Sequence, residues 1–363
     1  MAVSCGIVGL PNVGKSTLFN ALTAAGAEQG NFPFCTIEPN VAVAEVPDPN
    51  LATLHSLVET QKVIPAIVQV VDIAGLIAGA SKGEGLGNKF LANIRETDAI
   101  MQVVRCFENP NVVREDPVNP IGDIEVIEME LALADLDTLT KAIERVSKKA
   151  RSGDKDSIAE RDLFTRAKEL LENGSQLRTV EWKPQELDAL RPLCLMTGKR
   201  MLYVANVADD DMEGAGDLAQ QVAKHAEATG AQWIPICTDL ESELRRMEPD
   251  ERAVFMEEMG IDLSGLQRLV RATYELLGLQ TYYTAGEKEI RAWTIHRGDT
   301  APKAAGVIHT DFEKKFIRAE VYSVPDLVEF KTEAAVKSAG KLRTEGRDYV
   351  MKDGDVCHFL FGK

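Results

Sequence analysis

Residues 9–16, GLPNVGKS, have the residue types and spacing of a loop that binds phosphate. They fit the pattern G-x-x-x-x-G-K-[S/T], in which backbone N–H groups turn toward the phosphates and the following helix presents its positive end. Lys15 would contact the terminal phosphates, and the Ser16 hydroxyl would coordinate Mg²⁺. The segment therefore predicts a site for a nucleoside triphosphate, with phosphate contacts from Asn12, Val13, Gly14, Lys15, Ser16 and Thr17.

A second motif for the same metal follows the apolar run 66–71, where Asp72 and Gly75 form an Asp-x-x-Gly pattern. Asp72 would hold a water of the Mg²⁺ ion, and the Gly75 N–H would sense a terminal phosphate. The pattern is weak alone and strong behind a phosphate loop. Thr36, in the proline-bracketed segment 31–39, is the expected second hydroxyl on Mg²⁺. Both segments are therefore predicted to be switch loops.

Two residues bear on the rate of hydrolysis. Leu76 occupies the position where many small G proteins use a glutamine to orient the attacking water. A leucine cannot hydrogen-bond water, so slow turnover is expected, or another group must place the water. Asn12 is a candidate ligand for K⁺, which would take the part of an arginine finger. An amide that merely stabilises the loop is an equally good interpretation of Asn12.

The base-reading motif of such domains follows a later strand, and here it is NVAD, residues 206–209. Asn206 fits the usual N-K-x-D pattern, whereas Val207 replaces the lysine. Asp209 would suit guanine, because a carboxylate against the matching ring nitrogen of adenine would be mispaired. If Asp209 points away, Asn206 and the backbone at Val207 could read the exocyclic amine of ATP. The motif leaves GTP and ATP open.

Composition restricts the class of protein. The chain has 363 residues and a net charge of −16, which argues against wrapping nucleic acid by bulk charge alone. From residue 279 onward, 14 Lys/Arg stand against 13 Asp/Glu, a net of +1, so the remainder carries −17. Six scattered cysteines predict reduced thiols, and no apolar run reaches the length of a membrane span. We therefore expect a cytoplasmic protein that does not enter a membrane.

Apolar runs alternate with helical or glycine-rich stretches through most of the chain, which predicts an α/β domain with a mostly parallel sheet covered by helices on both faces. The predicted strands are 2–8, 41–46, 66–73, 99–107, 201–207 and 232–237. This nucleotide-binding domain is expected to be discontinuous, comprising residues 1–127 and 198–278.

The intervening segment 128–197 has another pattern. Apolar residues at spacings of 3 and 4 form a heptad seam: Met129, Ala132, Leu136, Leu139, Ile143, Val146 and Ala150. A turn at 151–154 and a second helical pattern predict an inserted helical hairpin. Two ordinary surface helices are the alternative. After Gly278, short apolar stretches with glycine turns predict a small mixed sheet-and-helix domain over 279–363.

In combination these motifs resemble the YchF family, the Obg-like ATPases. The resemblance covers nearly the whole chain and rests on GLPNVGKST, NFPFCTIEPN, DIAGLIAGASKGEGLG, NVAD, HTDFEKKFIRAE and YVMKDGDVCHFLF. It implies a P-loop NTPase domain with a hydrophobic residue in place of the catalytic glutamine, a helical hairpin and a C-terminal TGS domain of the β-grasp type. It also implies preference for ATP, association with ribosomes and stress-linked control of translation.

Two positions depart from the family pattern. Relatives generally have glutamate where Asp209 stands, and this substitution moves the motif toward a guanine reader. Several relatives have a histidine, proposed to position water, where this chain has Arg114. Arginine could stabilise developing phosphate charge but cannot act as a base. A mechanism that depends on the histidine is therefore not carried over.

The leading hypothesis is a slow Mg²⁺-dependent ATPase that acts as a switch on the ribosome, either the large subunit or the 70S particle, through the hairpin and the TGS domain. The alternatives are a GTPase of the same fold and a ribosome-binding adapter with incidental turnover. Lys148, Lys149 and Arg151 favour a contact near the hairpin tip, and solvated helix charge explains them equally well. A monomer is expected.

Overall fold

The computed structural model describes residues 3–25, 40–73, 86–108 and 117–362. Within these ranges the strands, numbered in chain order, are β1 (Ser4–Val8), β2 (Val41–Glu45), β3 (Val63–Ile64), β4 (Ile67–Asp72), β5 (Ala99–Arg105), β6 (Arg200–Asn206), β7 (Gln232–Ile236), β8 (Leu279–Ala285), β9 (Ile290–His296), β10 (Phe316–Ser323), β11 (Arg343–Glu345) and β12 (Asp355–Phe361).

The helices of the same ranges are α1 (Lys15–Ala25), α2 (Pro49–Leu57), α3 (Leu86–Glu96), α4 (Pro120–Ala150), α5 (Lys155–Glu172), α6 (Pro184–Leu190), α7 (Asp217–Ala228), α8 (Thr238–Leu244), α9 (Pro249–Glu258), α10 (Gly265–Leu276), α11 (Ala301–Ile308), α12 (Thr310–Lys314), α13 (Val324–Phe330) and α14 (Glu333–Ser338). Among these helices, none combines the length and the apolar character that crossing a bilayer requires.

Two compact units make up the chain. Of the described residues, the first contains 3–24, 40–42, 69–73, 86–108 and 117–266, and the second contains mainly 43–68 and 267–362. Packing thus groups α2 and β3 with the C-terminal region, although sequence pattern assigned them to the nucleotide-binding domain. It also groups the hairpin with the first unit. The predicted three-part division of the chain stays a prediction.

The first sheet has the strand order β2-β4-β1-β5-β6-β7. Strand β1 pairs in parallel with β4 and β5, and β5, β6 and β7 continue the parallel arrangement. Both central strands β5 and β6 are almost wholly buried, as expected for parallel strands covered on two faces. The predicted α/β architecture is confirmed. Because parallel strands end at the same edge, the segments after β1, β4, β5 and β6 meet there.

Helix α4 begins at Pro120, capped by the Asn119 side chain, nine residues before the predicted start of the seam at Met129. Its first half packs on the core of the first unit through Ile124, Ile127 and Leu131. The predicted seam is therefore wrong at its beginning, where Met129 is 63% exposed. The buried face of the first half is directed toward the sheet and not toward α5.

The second half of α4 forms the predicted hairpin with α5. Leu139, Ala142 and Val146 of α4 pack against Phe164 and Leu171 of α5 in a separate apolar cluster. Residues 151–154 form the turn, and Asp154 accepts hydrogen bonds from the backbone N–H and the hydroxyl of Ser157 at the start of α5. One long helix thus joins the nucleotide-binding sheet to the hairpin.

The second unit contains a mixed sheet of order β11-β10-β12-β8-β9-β3. Antiparallel pairs β10–β11, β10–β12 and β8–β9 are combined with parallel pairs β12–β8 and β3–β9. Helix α11 supplies Ala301, Ala304 and Ala305 to the core beneath this sheet. The region after Gly278 thus combines a mixed sheet with helices, as its sequence pattern predicted, whereas the predicted domain bounds stay a prediction.

Candidate functional site

The phosphate loop leaves β1 at Val8 and enters α1 at Lys15. Asn12 and Gly14 have positive φ values of 62° and 94°, which turn the backbone within the loop. A Cβ atom at Gly14 would lie 2.2 Å from the Asn206 amide nitrogen, so both conformation and space require glycine. Gly9 is constrained in a similar way, because a Cβ would lie 3.0 Å from the carbonyl oxygen of Val103.

The structure brings together two residues that the sequence singled out separately. The Lys15 ammonium forms an ion pair with the Asp72 carboxylate and donates to the carbonyl oxygen of Ile73 at 3.1 Å. The two side chains are 11% and 22% exposed, so the pair is screened only partly by water. Strand β4 delivers Asp72 to this point because it pairs in parallel with β1. A cation and an acid poised at a phosphate loop can each change partner when a metal-bound triphosphate arrives.

Asn206 acts inside the protein as a clamp on the phosphate loop. Its amide nitrogen donates to the carbonyl oxygen of Val13 at 2.9 Å, and its amide oxygen accepts from the Thr238 N–H at 3.2 Å. The side chain is 1% exposed. The predicted base reader therefore also positions the loop, and it joins the loop to the start of α8. Thr238 was not anticipated, since a lone threonine after a strand carries no recognisable signal.

The other two residues of the predicted base motif lie in different environments. Val207 is buried, and its N–H donates to the carbonyl oxygen of Ile236 at 3.0 Å. Asp209 is exposed in a short 3₁₀ turn, Asp209–Asp211. Asn206 and Val207 thus lie at the sheet edge beside the loop, whereas the Asp209 carboxylate is in solvent.

Strand β5 contributes residues that sequence reasoning missed. The Cys106 N–H donates to the carbonyl oxygen of Asn206 at 2.8 Å, which places the end of β5 beside the base motif. Arg105 is 3% exposed and donates from Nε to the carbonyl oxygen of Phe107. Its guanidinium carbon lies 5.0 Å from the centre of the Phe107 ring. The sequence signal that could have identified Arg105 is an arginine at the end of an otherwise apolar strand.

The metal-binding prediction can be judged on part of its residues. Ser16 is exposed in the first turn of α1, and Asp72 lies beside Lys15. A hydroxyl and a carboxylate are hard oxygen ligands that suit Mg²⁺, which takes its remaining ligands from phosphates and water. No cluster of three or more acidic, histidine or cysteine side chains able to hold an ion occurs within the described ranges. The Ser16 hydroxyl and the Asp72 carboxylate therefore have the ligand chemistry that Mg²⁺ prefers.

Four positions named above lie outside the described residues: Thr36, Gly75, Leu76 and Arg114. The predicted second Mg²⁺ hydroxyl, phosphate sensor, glutamine replacement and histidine replacement remain predictions.

A buried polar network secures β6 on the side away from the loop. Glu128 of α4 accepts from Arg178 at 2.5 Å and from the Tyr203 hydroxyl of β6 at 2.6 Å, and His225 lies 3.6 Å from it. Burial raises the pKa of Glu128, but His225, Tyr203 and Arg178 outweigh this effect and lower the pKa to about 2. Strand β6 is thus bonded to the first half of α4 through Tyr203 and to the phosphate loop through Asn206.

The parallel sheet, the glycine loop before α1 and the Lys15–Asp72 pair define a P-loop nucleoside triphosphatase domain. Residues 4–148 match the MMR_HSR1 family, described as a 50S ribosome-binding GTPase. Residues 279–362 match the YchF-GTPase_C family, described as a protein of unknown function (DUF933).

Whole-length relatives identify the family. The chain is 54% identical over 362 residues to the protein of Pasteurella multocida named Ribosome-binding ATPase YchF, covering 99% of both chains. Proteins of the same name from Escherichia coli O157:H7 and Bacillus subtilis are 54% and 49% identical, again with 99% of this chain covered. The structure of the Schizosaccharomyces pombe YchF GTPase superposes with a TM-score of 0.89 at 36% identity, covering 99% of this chain and 97% of that one. This chain belongs to the YchF family.

Proposed function

We propose that this chain is a slow Mg²⁺-dependent ATPase that acts as a nucleotide-controlled switch on the ribosome. The observation that carries the proposal is the Lys15–Asp72 pair at a phosphate loop clamped by Asn206. Relatives named ribosome-binding ATPases, 54% identical over the whole chain, support the choice of nucleotide and partner.

Binding of the triphosphate exchanges the partner of Lys15. The ammonium would leave Asp72 for the terminal phosphates, and the Asp72 carboxylate would then be available to help hold Mg²⁺. Ser16 and Thr36 would hold the ion, whose chemistry is to neutralise charge on the phosphates when bound. The Gly75 N–H would report the terminal phosphate to the switch loop. Loss of that phosphate on hydrolysis would let Lys15 return to Asp72.

Slow turnover follows from Leu76, which offers no hydrogen bond to the attacking water. A K⁺ ion held by Asn12 would supply the missing positive charge near the phosphates. Asn12 suits this role because its side chain is exposed on the loop. A switch needs only occasional hydrolysis, so Leu76 at this position suits a protein that times an event rather than a rapid catalyst.

Preference for ATP is supported by the 54% identical relatives named ribosome-binding ATPases and by Val207, which stands in place of the lysine of the usual guanine motif. GTP is the second candidate. It is favoured by the N-x-x-D order of residues 206–209 and by the Schizosaccharomyces pombe relative, which is named a YchF GTPase.

Ribosome binding would use the hairpin and the C-terminal domain. Lys148, Lys149 and Arg151 are exposed at the hairpin tip, where they could contact RNA phosphates of the large subunit or the 70S particle. A cytoplasmic monomer with a role in translation and stress response completes the proposal. The remaining alternative is an adapter whose hydrolysis is incidental.

One titration separates the two nucleotides. Mg²⁺-ATP and Mg²⁺-GTP compete for the wild-type chain and for Asp209→Glu, and we expect ATP to bind more tightly to both. GTP binding about tenfold or more tighter on the wild type, or 1.4 kcal/mol, would overturn the ATP assignment.

Sedimentation with ribosomes tests the switch, because Lys15→Ala should lose the effect of nucleotide on ribosome binding. Wild-type binding that is equal with and without nucleotide would favour the adapter.

A further inference from the structure

A cavity of about 540 Å³ opens in the second unit, among residues that the nucleotide site does not use. Its walls are the start of α13, the turn that leads into β11 and the turn that precedes β12, together with Asn50 of α2. Pockets for small-molecule ligands typically measure about 300–1,000 Å³. The cavity is therefore large enough for a metabolite and much larger than one inorganic ion.

The acidic groups of the cavity already have donors. Asp355, which is buried, accepts from the Tyr349 hydroxyl at 2.8 Å and from a backbone N–H at 2.9 Å. Asp353 accepts from the N–H of Thr281 at 2.8 Å. Asp326 accepts from a serine hydroxyl at 2.6 Å. These three carboxylates line the cavity together with Lys341, Arg343 and Lys352, and each accepts at least one hydrogen bond within the protein.

The basic groups of the cavity have donors to spare. The Arg343 guanidinium donates from Nη2 to the Tyr349 hydroxyl at 3.2 Å and to the Asp355 carboxylate at 3.5 Å. Its Nη1 lies 3.6 Å from Glu345, which is too far for a hydrogen bond. The Lys341 ammonium is 3.9 Å from Asp326, which is also beyond hydrogen-bond length. Lys352 forms no ion pair with the described residues. The guanidinium is thus oriented by its partners with N–H groups left over, and Lys341 and Lys352 line the same cavity.

We propose that this cavity binds a small molecule that carries a phosphate group. Phosphate offers several acceptor oxygens and a charge that suits a held guanidinium, which can donate two parallel hydrogen bonds to it. Lys341 and Lys352, which line the same cavity, supply further donors. The polar wall at Asn50 accommodates the remainder of the ligand. This site is separate in sequence and chemistry from the phosphate loop, because it uses arginine and lysine side chains in place of backbone amides.

Hydrogen exchange on the full-length chain, followed by mass spectrometry, locates the site with pyrophosphate as the probe. We expect pyrophosphate to slow exchange in peptides covering 340–356. Lys352→Glu should raise the pyrophosphate concentration that gives half-maximal protection by about tenfold or more, since it replaces a charge-assisted donor by a repelling group. Lys337→Glu, an exposed lysine of α14 outside the cavity, is the matched control and should behave as the wild type.

Lys15→Ala distinguishes the two phosphate sites within one data set. It should lose protection over 9–18 and keep it over 340–356, whether or not the chain proves to be an ATPase. Lys341→Glu provides a second variant on the other wall. The proposal is overturned if pyrophosphate leaves 340–356 of the wild type unprotected, or if Lys352→Glu and Lys341→Glu retain the protection seen in Lys337→Glu.

Discussion

Replacing Asn206 by alanine should loosen the phosphate loop, because this amide holds two buried backbone groups. The carbonyl oxygen of Val13 loses a donor at 2.9 Å and the N–H of Thr238 loses an acceptor at 3.2 Å. A buried polar group left without a partner costs about 1–3 kcal/mol. Two such groups give an expected loss of about 2–6 kcal/mol in the free energy of unfolding. The space left by the missing carboxamide group adds to this loss.

The same change should weaken nucleotide binding, since the loop that Asn206 positions supplies the phosphate-binding amides. If the mutation raises the free energy of the nucleotide-bound state by about 1.4 kcal/mol more than that of the free folded state, affinity for the triphosphate falls by about tenfold. Urea denaturation measures stability, and calorimetric titration with Mg²⁺ and a non-hydrolysable nucleotide measures affinity. Asn206→Asp is informative because it keeps the acceptor for Thr238, loses the donor to Val13 and sets a negative charge against a carbonyl oxygen. It should resemble Asn206→Ala.

Asp209→Ala is the matched control in the same segment. Its side chain is exposed, so stability should change by no more than about 0.5 kcal/mol. The reasoning is refuted if Asn206→Ala unfolds at the same denaturant concentration as Asp209→Ala and binds nucleotide as tightly as the wild type. In that case the two hydrogen bonds would contribute nothing to the loop.

Three further changes test other parts of the structure. Gly14→Ala should abolish nucleotide binding in a titration, because φ is 94° and the new methyl would lie 2.2 Å from the clamping amide; wild-type affinity would contradict this geometry. The pKa of Glu128 is lowered from 4.5 to about 2, so its stabilisation is present above pH 4.5 and is lost as pH falls toward 2. Glu128→Gln should therefore show a shallower loss of unfolding free energy over that window than the wild type, and equal slopes would exclude the effect. Tyr283→Phe removes a hydroxyl 2.8 Å from Asp48 and should cost about 1–2 kcal/mol in urea denaturation; an unchanged midpoint would show that water replaces the hydroxyl.

The phosphate loop and the sheet were predictable because their signals are local. A glycine pattern between an apolar strand and a helix fixes the loop, and alternating strands and helices fix a parallel sheet. The pairing of Lys15 with Asp72 follows from the same logic, since β1 and β4 end at one edge. These are consequences of periodicity and of parallel strand geometry.

The start of α4 was not predictable from spacing. Apolar residues every 3 or 4 positions mark helical faces but do not tell which face is covered by which partner. Ile124, Ile127 and Leu131 pack on the sheet, whereas Leu139 and Val146 pack on α5, and Met129 belongs to neither set. The helix changes its buried face along its length, and only the tertiary partners define where.

Long-range hydrogen bonds were also invisible in the sequence. The Tyr283 hydroxyl lies 2.8 Å from Asp48, 235 residues away, and it helps to tie α2 to the C-terminal sheet in the second unit. Likewise, the motif around Asn206 indicated a base reader, whereas the clamp on Val13 depends on how β6 and β1 are arranged. Such contacts depend on topology, which residue types alone do not determine.

The most direct test of the proposed chemistry is phosphate release from ATP by the purified chain. With Mg²⁺ present, the wild type should release phosphate slowly and stoichiometrically with ADP, and chelation of the metal should stop it. Lys15→Ala should release none above background while showing a folded circular dichroism spectrum. Equal phosphate release by the wild type and Lys15→Ala, or none by the folded wild type with Mg²⁺, would contradict the account.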